Sequence, residues 1–409
     1  MFNWAGNHEY GAEHVIELTS VSALAEELAR TPKVRALGTR HSFNDIADGQ
    51  VIVDTLVARE HLEINADRTE VTVNGSMTYG RLAELLEPLG FALHNLASLP
   101  HISIAGAIST GTHGSGVNNK SLAAAVTGIE LATSSGEVGR LVRGDADFTG
   151  SVVGLGALGV MTKVSLEIEP AYEVAQFVYD DLPQEVFGAN IDEIMGLGYS
   201  VSGFTTWGGS VEQLWVKHRL PLHVDMPATI FGATIASEDR HPIRGHAAGA
   251  CTAQRGEAGL WSDRLPHFRI DFTPSAGDEI QSEFFVEWSH ASDALDALHR
   301  IGEQIAGALL VSEIRAVAAD DLWMSPHHGR KSLALHFTWG PDQAAAEAAA
   351  ELVGDILAEF DARVHWGKVF APHHVNLASF DRLDDYLHLI DRFDQRRAFR
   401  NDWFDRLLD

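Results

Sequence analysis

The chain has 409 residues, 45% of them hydrophobic, and a formal net charge of −27. That length exceeds a single small core and implies two or three domains. The acidic surplus argues against nucleic acid or an anionic membrane as partner and favours a neutral or cationic substrate. The single cysteine, Cys251, excludes an internal disulfide and a multi-thiolate zinc site. No apolar window is long enough to span a bilayer, and the first residues lack a basic region followed by an apolar one, so a cytoplasmic protein is expected.

In chain order, residues 15–18 read as a strand and 21–29 as an amphipathic helix. Short strands are expected at 34–38 and 51–56. Between them lies the loop Leu37-Gly38-Thr39-Arg40-His41-Ser42-Phe43-Asn44. Glycine permits a tight turn there, and successive N–H groups of such a turn form an anion site. The loop reads either as a plain turn with a surface histidine or as a ligand cradle.

A helix over 79–89 carries Leu82, Leu85, Leu86 and Leu89 on one face and stops near Pro88. Residues 98–116 are almost all small, hydroxylated or glycine, with His101 and His113 embedded and apolar residues interspersed. A solvated linker does not need those apolar residues. A backbone packed along an extended ligand such as a dinucleotide fits better.

Strands at 126–133 and 138–142 form a hairpin. Gly154-x-Gly156-x-x-Gly159 then leads into a strand at 163–168, so it is not the first βα turn of a Rossmann site, and no P-loop sequence occurs.

After residue 170, strands with one polar face are expected at 202–207, 213–218, 268–272, 281–287, 311–317, 333–339 and 364–370. Residues 220–265 read as a long loop. The alanine run 344–350 is a helix of good propensity. His218, His223, His241 and His246 lack tight ligand spacing, so no metal site is expected.

Strand alternation puts Glu313 and Arg315 on one face, and likewise His336 and Thr338. His365-Trp366-Gly367-Lys368 adds a cation. If these strands are neighbours, the face is either a solvated, salt-bridged surface or a site for several hydroxyls, with Arg and Lys stabilising a developing alkoxide.

These segments together resemble the alditol oxidase/xylitol oxidase family, within the vanillyl-alcohol-oxidase type of FAD flavoproteins. The matching text is Asn3-Trp4-Ala5-Gly6-Asn7, Gly38-x-x-His41-Ser42-Phe43-Asn44, 97–103, 110–116, 155–160, Glu313-Ile314-Arg315, His336-Phe337-Thr338-Trp339 and His365-Trp366-Gly367-Lys368. It covers residues 3 to about 370; the last forty residues match weakly.

The resemblance implies an α+β protein with an FAD-binding domain of the PCMH type at 1–170. A substrate domain with a mostly antiparallel sheet flanked by helices follows at 171–375. A C-terminal helical segment at 376–409 returns to the first domain. FAD would contact Gly38, Thr39, Arg40, His41, Ser42, Phe43, Ser98, Ser103, Gly106, Thr110, Gly111, Thr112, His113, Gly159, Val160 and Met161, with a covalent 8α bond to His41. Ser98, Glu313, Arg315, Thr338 and Lys368 would hold a polyol such as xylitol, sorbitol or glycerol. Arg315, Lys368 and His336 would assist loss of the C1 hydroxyl proton, while C1 passes a hydride to the flavin and dioxygen becomes hydrogen peroxide. Ala97 would control oxygen access. Many relatives carry glycine where Arg40 stands, and Arg40 reads as a partner for the FAD pyrophosphate. The expected partners are the polyol and dioxygen, with no nucleic acid, no membrane and a monomeric state. The alternatives are a sugar-1,4-lactone oxidase or dehydrogenase of the same fold, and a flavin- or polyol-binding protein without turnover.

Overall fold

The computed structural model describes residues 1–17, 20–55, 60–222, 226–272 and 279–408. The expected strand ends at Leu18 and Leu56, and His223, lie outside the described residues. Three larger sheets, and a two-stranded pair of Glu169–Pro170 with Phe91–Ala92, organise the described residues. The first is parallel, with Val51–Asp54 between His14–Glu17 and Arg35–Leu37. The second is antiparallel and runs in the order Leu62–Ile64, Glu70–Asn74, Val160–Glu167, Val126–Ala132, Val138–Val142. Together with the antiparallel third sheet, this mixed content matches the α+β expectation.

Local chemistry sets the helices of this half. Ser20 caps Val21–Arg30 by accepting from Ala23 N at 3.2 Å, and Thr78 caps Tyr79–Leu86 by accepting from Arg81 N at 3.2 Å. The second helix ends as α at Leu86, and Pro88 sits in the tighter turn Glu87–Leu89. Its Leu82 and Leu86 are buried in the core.

The third sheet is the largest. Its order is Thr229–Ile230, Ala233–Ile235, Glu173–Pro183, Ser210–Arg219, Ser200–Thr205, Leu309–Val317, Ser332–Trp339, Ile280–Glu287, Arg363–Val364. Alternation divides its central strands cleanly. Ile314, Leu335, Phe337, Phe284 and Val286 face one way and join the core with Leu298 and Ile301 of the helix Ala291–Ile305 and Val353 and Leu357 of the helix Gln343–Ala358. Burying each such side chain contributes about 1.5–3 kcal/mol. The opposite face carries the polar residues.

Several expectations change. Residues 268–272 form no strand; Phe268 makes only a single bridge to Cys251. Without a continuous partner, the alternating Phe268-Arg269-Ile270-Asp271-Phe272 forms no ladder. The 364–370 strand is limited to Arg363–Val364, after which the chain turns at Trp366 and Gly367. The 220–265 region is not structureless: Thr229–Ile230, Ala233–Ile235 and Gly259–Leu260 extend the large sheet. The strand Glu173–Pro183 escaped the sequence reading. Among the described residues, no helix is long and apolar enough to cross a membrane.

Candidate active site

A cavity of about 710 Å³ lies between the polar face of the large sheet and the N-terminal half. Register assembles its floor from three strands. Glu313 pairs with His336, and His336 pairs with Glu283, so one row crosses Leu309–Val317, Ser332–Trp339 and Ile280–Glu287. Thr338 and Gln281 are paired in the next row of the same face. Lys368 arrives from the turn after Arg363–Val364, because Asn44 Nδ2 holds the Trp366 and Lys368 carbonyls at 2.9 and 2.8 Å.

Glu283, which the sequence reading did not single out, is the hub. Its Oε1 accepts from Arg315 at 2.5 Å and its Oε2 accepts from Lys368 Nζ at 2.7 Å. His113 Nε2 lies 3.2 Å from Oε1 but off the hydrogen-bond axis. Burial opposes the charge on Glu283, yet Lys368 and Arg315 outweigh it and hold the carboxyl well below the usual carboxylate range. Burial also opposes the charge on Arg315, but Glu313 and Glu283 secure it. Burial lowers the Lys368 pKa, against the pull of Glu283.

Behind Glu313 runs a second chain that was also not foreseen. His267 Nε2 is 2.7 Å from Glu313 Oε1, and Lys217 Nζ is 3.2 Å from His267 Nδ1. Lys217 donates further to the Leu265 and Pro266 carbonyls at 2.6 and 3.1 Å. A carboxylate only accepts and an ammonium only donates, so His267 carries its proton on Nε2. Burial lowers Lys217 to about 7 and, with the Lys217 charge, lowers His267 to about 4. The Glu313 carboxyl is likewise held well below the usual carboxylate range, its burial outweighed by Arg315 and His267. Signals existed for two of the missed residues. Lys217 interrupts the apolar run Leu214-Trp215-Val216, and Glu283 alternates with Gln281. His267 sits in a loop with no pattern around it.

The cavity gathers the Gly38–Phe43 loop with Ala97, Ser98, Ser103, Gly106, Thr110, Thr112, His113, Gly159, Val160 and Met161. It adds Glu313, Arg315, His336, Thr338 and Lys368. Ser98 reaches the sheet through a 3.5 Å contact of its Oγ with Arg315. Gly111 lies outside this lining, packed against Pro326.

The lining fits an FAD group on two observations. Gly38 lets the loop close on Ser103, whose Oγ any Cβ at residue 38 would strike, and Ser103 N donates to Thr39 Oγ1 at 3.0 Å. His41 is held under Trp4, with ring centroids 5.2 Å apart, and its Nδ1 is buried without a partner. Burial lowers His41 to about 4, so its imidazole is neutral at pH 7. Arg40 adopts φ +62°, the left-handed region, with its side chain exposed. Arg35, buried beneath the loop, donates to the carbonyls of Leu155 at 2.8 Å, Gly156 at 3.0 Å, Phe399 at 2.7 Å and Ile46.

Comparison with known proteins also points to FAD. Residues 12–141 match the FAD binding domain family and residues 278–407 the D-arabinono-1,4-lactone oxidase family. The alditol oxidase of Streptomyces sp. (strain IKD472 / FERM P-14339) is 42% identical over 415 residues, covering 100% of this chain and 98% of its own. The L-gulono-1,4-lactone dehydrogenase of Mycobacterium tuberculosis (strain ATCC 25618 / H37Rv) is 26% identical over 430 residues, 99% of this chain and 98% of its own. A cholesterol oxidase from B. sterolicum superposes with a TM-score of 0.77 at 14% identity, over 100% of this chain and 96% of that one, and so shares the fold.

Proposed function

The chain belongs to the alditol oxidase family of FAD oxidoreductases, and we propose that it oxidises the C1 primary alcohol of polyols such as xylitol, sorbitol and glycerol to the aldose, with dioxygen reduced to hydrogen peroxide. The observation that carries this reading is the row Glu313–His336–Glu283 with Arg315 and Lys368 locked over it, in a cavity shared with the His41 loop. When bound, FAD supplies the two-electron acceptor for the C1 hydride and delivers the electrons to dioxygen.

An alcohol is a very weak acid, so its proton leaves only where cations favour the alkoxide. Arg315 and Lys368 supply that field, fixed in direction by Glu283. Lys368 Nζ also touches His336 Nδ1 at 2.7 Å. The hydroxyl proton passes to Lys368 as Lys368 gives one of its own to His336 Nδ1. The ammonium is restored and His336 ends as imidazolium. Burial and the Lys368 charge lower His336 to about 4, so it begins neutral. Ser98, Glu313 and Thr338 hold the remaining hydroxyls, and orientation improves with the number gripped. Neutral His41, with its unpartnered Nδ1, would hold the flavin through its 8α carbon, and Arg40 would pair with the pyrophosphate. Ala97, a small residue in the lining, controls oxygen access.

The family matched by residues 278–407 supports a second reading, a sugar-1,4-lactone oxidase or dehydrogenase. A substrate panel with peroxide detection separates the two. Xylitol or sorbitol turnover with peroxide is expected; turnover of lactones alone would overturn the polyol assignment. Anaerobic xylitol should bleach the flavin, and a persistent spectrum would instead indicate a binding protein. A yellow pellet after denaturation, lost in His41→Ala, tests the tether.

A further inference from the structure

A second cluster, outside the cavity, has ligand geometry of its own. Asp355 lies on the helix Gln343–Ala358, and His373 and His374 lie in the turn Pro372–His374. Nε2 of His373 is 3.2 Å from Asp355 Oδ1, and Nε2 of His374 is 3.0 Å from the same oxygen. The ligand atoms of all three residues fall within 4.8 Å of one another. Bonds of 2.0–2.1 Å around a tetrahedral zinc set ligand atoms about 3.3 Å apart, so a small outward shift seats an ion among them.

The site is built into the helix. Gly354 precedes Asp355, and a Cβ there would clash with the His374 ring. A glycine in a helix interior costs about 1 kcal/mol relative to alanine, and here it makes room for the imidazole against the helix axis. The His374 ring is buried and meets Phe284 edge-on, with centroids 6.0 Å apart, so its direction is fixed. The side chains of Asp355 and His373 are each 58% exposed, which leaves the opposite side open to solvent.

We propose that Asp355, His373 and His374 form a binding site for a borderline divalent cation of the zinc class, with water completing the coordination. Two imidazoles and one carboxylate suit Zn²⁺, Co²⁺, Ni²⁺ or Cu²⁺ rather than Mg²⁺ or Ca²⁺. The ion ties the segment that follows Lys368 to the helix Gln343–Ala358. The site lies against Phe284, on the face of the large sheet opposite Glu283, and does not depend on the polyol reading.

The test is calorimetric titration of the flavin-loaded, chelator-treated protein with Zn²⁺, with thermal melting in parallel. Saturable uptake of one ion per chain and a raised Tm are expected, while Mg²⁺ at the same concentration changes neither. Asp355→Asn and His373→Ala, both at exposed positions, should weaken Zn²⁺ binding by about tenfold or more, with the metal-free Tm and turnover unchanged. Equal Zn²⁺ affinity in wild type and variants, no saturable binding to the wild type, or an equal response to Mg²⁺ would overturn the site.

Discussion

Lys368 Nζ lies 2.7 Å from His336 Nδ1. An ammonium has no lone pair, so Nδ1 must be the acceptor and the proton of neutral His336 sits on Nε2. That N–H donates to Thr338 Oγ1 at 3.2 Å, which turns the threonine hydroxyl proton away from the ring and towards an incoming oxygen. One contact thus sets the tautomer of His336 and the donor direction of Thr338.

Glu283→Gln tests the hub. Glutamine keeps the shape but removes the charge that opposes Arg315 and Lys368, and leaves two buried cations short of an anion. Loss of one partner from a buried ion cluster costs about 3–5 kcal/mol. A lower Tm is expected, with kcat/KM for xylitol down by about a hundredfold or more. Wild-type turnover in this variant would remove Glu283 from the account.

His267 should behave as a positioning residue. His267→Phe takes the donor from Glu313 and an acceptor from Lys217, and should raise KM for polyols by about tenfold with a smaller change in kcat. His267→Gln, which retains a donor, should recover part of the loss. Equal kinetics for the two variants would argue that the ring only fills space.

Acid should unfold the protein through its buried histidines. His267 and His336 are lowered to about 4 in the fold, from about 6.5 in an unfolded chain. Between those values the unfolded chain binds more protons, so stability is full above pH 6.5 and falls as pH drops towards 4. Two such groups give a slope of up to about 2.7 kcal/mol per pH unit near pH 5. Glu283 and Glu313, lowered by their cations, add a further loss below their ordinary range near 4.5. Urea midpoints at pH 7, 5.5 and 4.5 measure this; equal midpoints would contradict it.

Arg40→Gly separates strain from charge. The left-handed φ of +62° costs a residue with a Cβ about 1–2 kcal/mol, part of which glycine returns through its freer unfolded chain. A net gain of roughly 0.5–1 kcal/mol in the flavin-free protein is expected. If Arg40 pairs with the pyrophosphate, the same variant should hold non-covalent FAD more weakly, measured in the His41→Ala background.

Alternation made much of the site readable. Glu313 with Arg315, and His336 with Thr338, follow from strand period alone, and the register then proves their strands adjacent. Glu283 was harder, because its importance comes from partners 32 and 85 positions away that only the register and the turn at Lys368 bring together. His267 carried no signal, since a loop has no period. The expected strand through Lys368 misjudged a turn, where Asn44 rather than sheet pairing aims the side chain. The loop at 37–44, ambiguous alone, gained meaning from what it closes upon.

Arg35 joins what synthesis separates. Its guanidinium draws on carbonyls at Leu155, Gly156 and Ile46 and on Phe399. A nascent chain that has not yet released residue 399 therefore cannot finish the seat beneath the His41 loop. A chain ending before Phe399 should therefore hold flavin more weakly than the full chain, read as flavin absorbance of the purified protein.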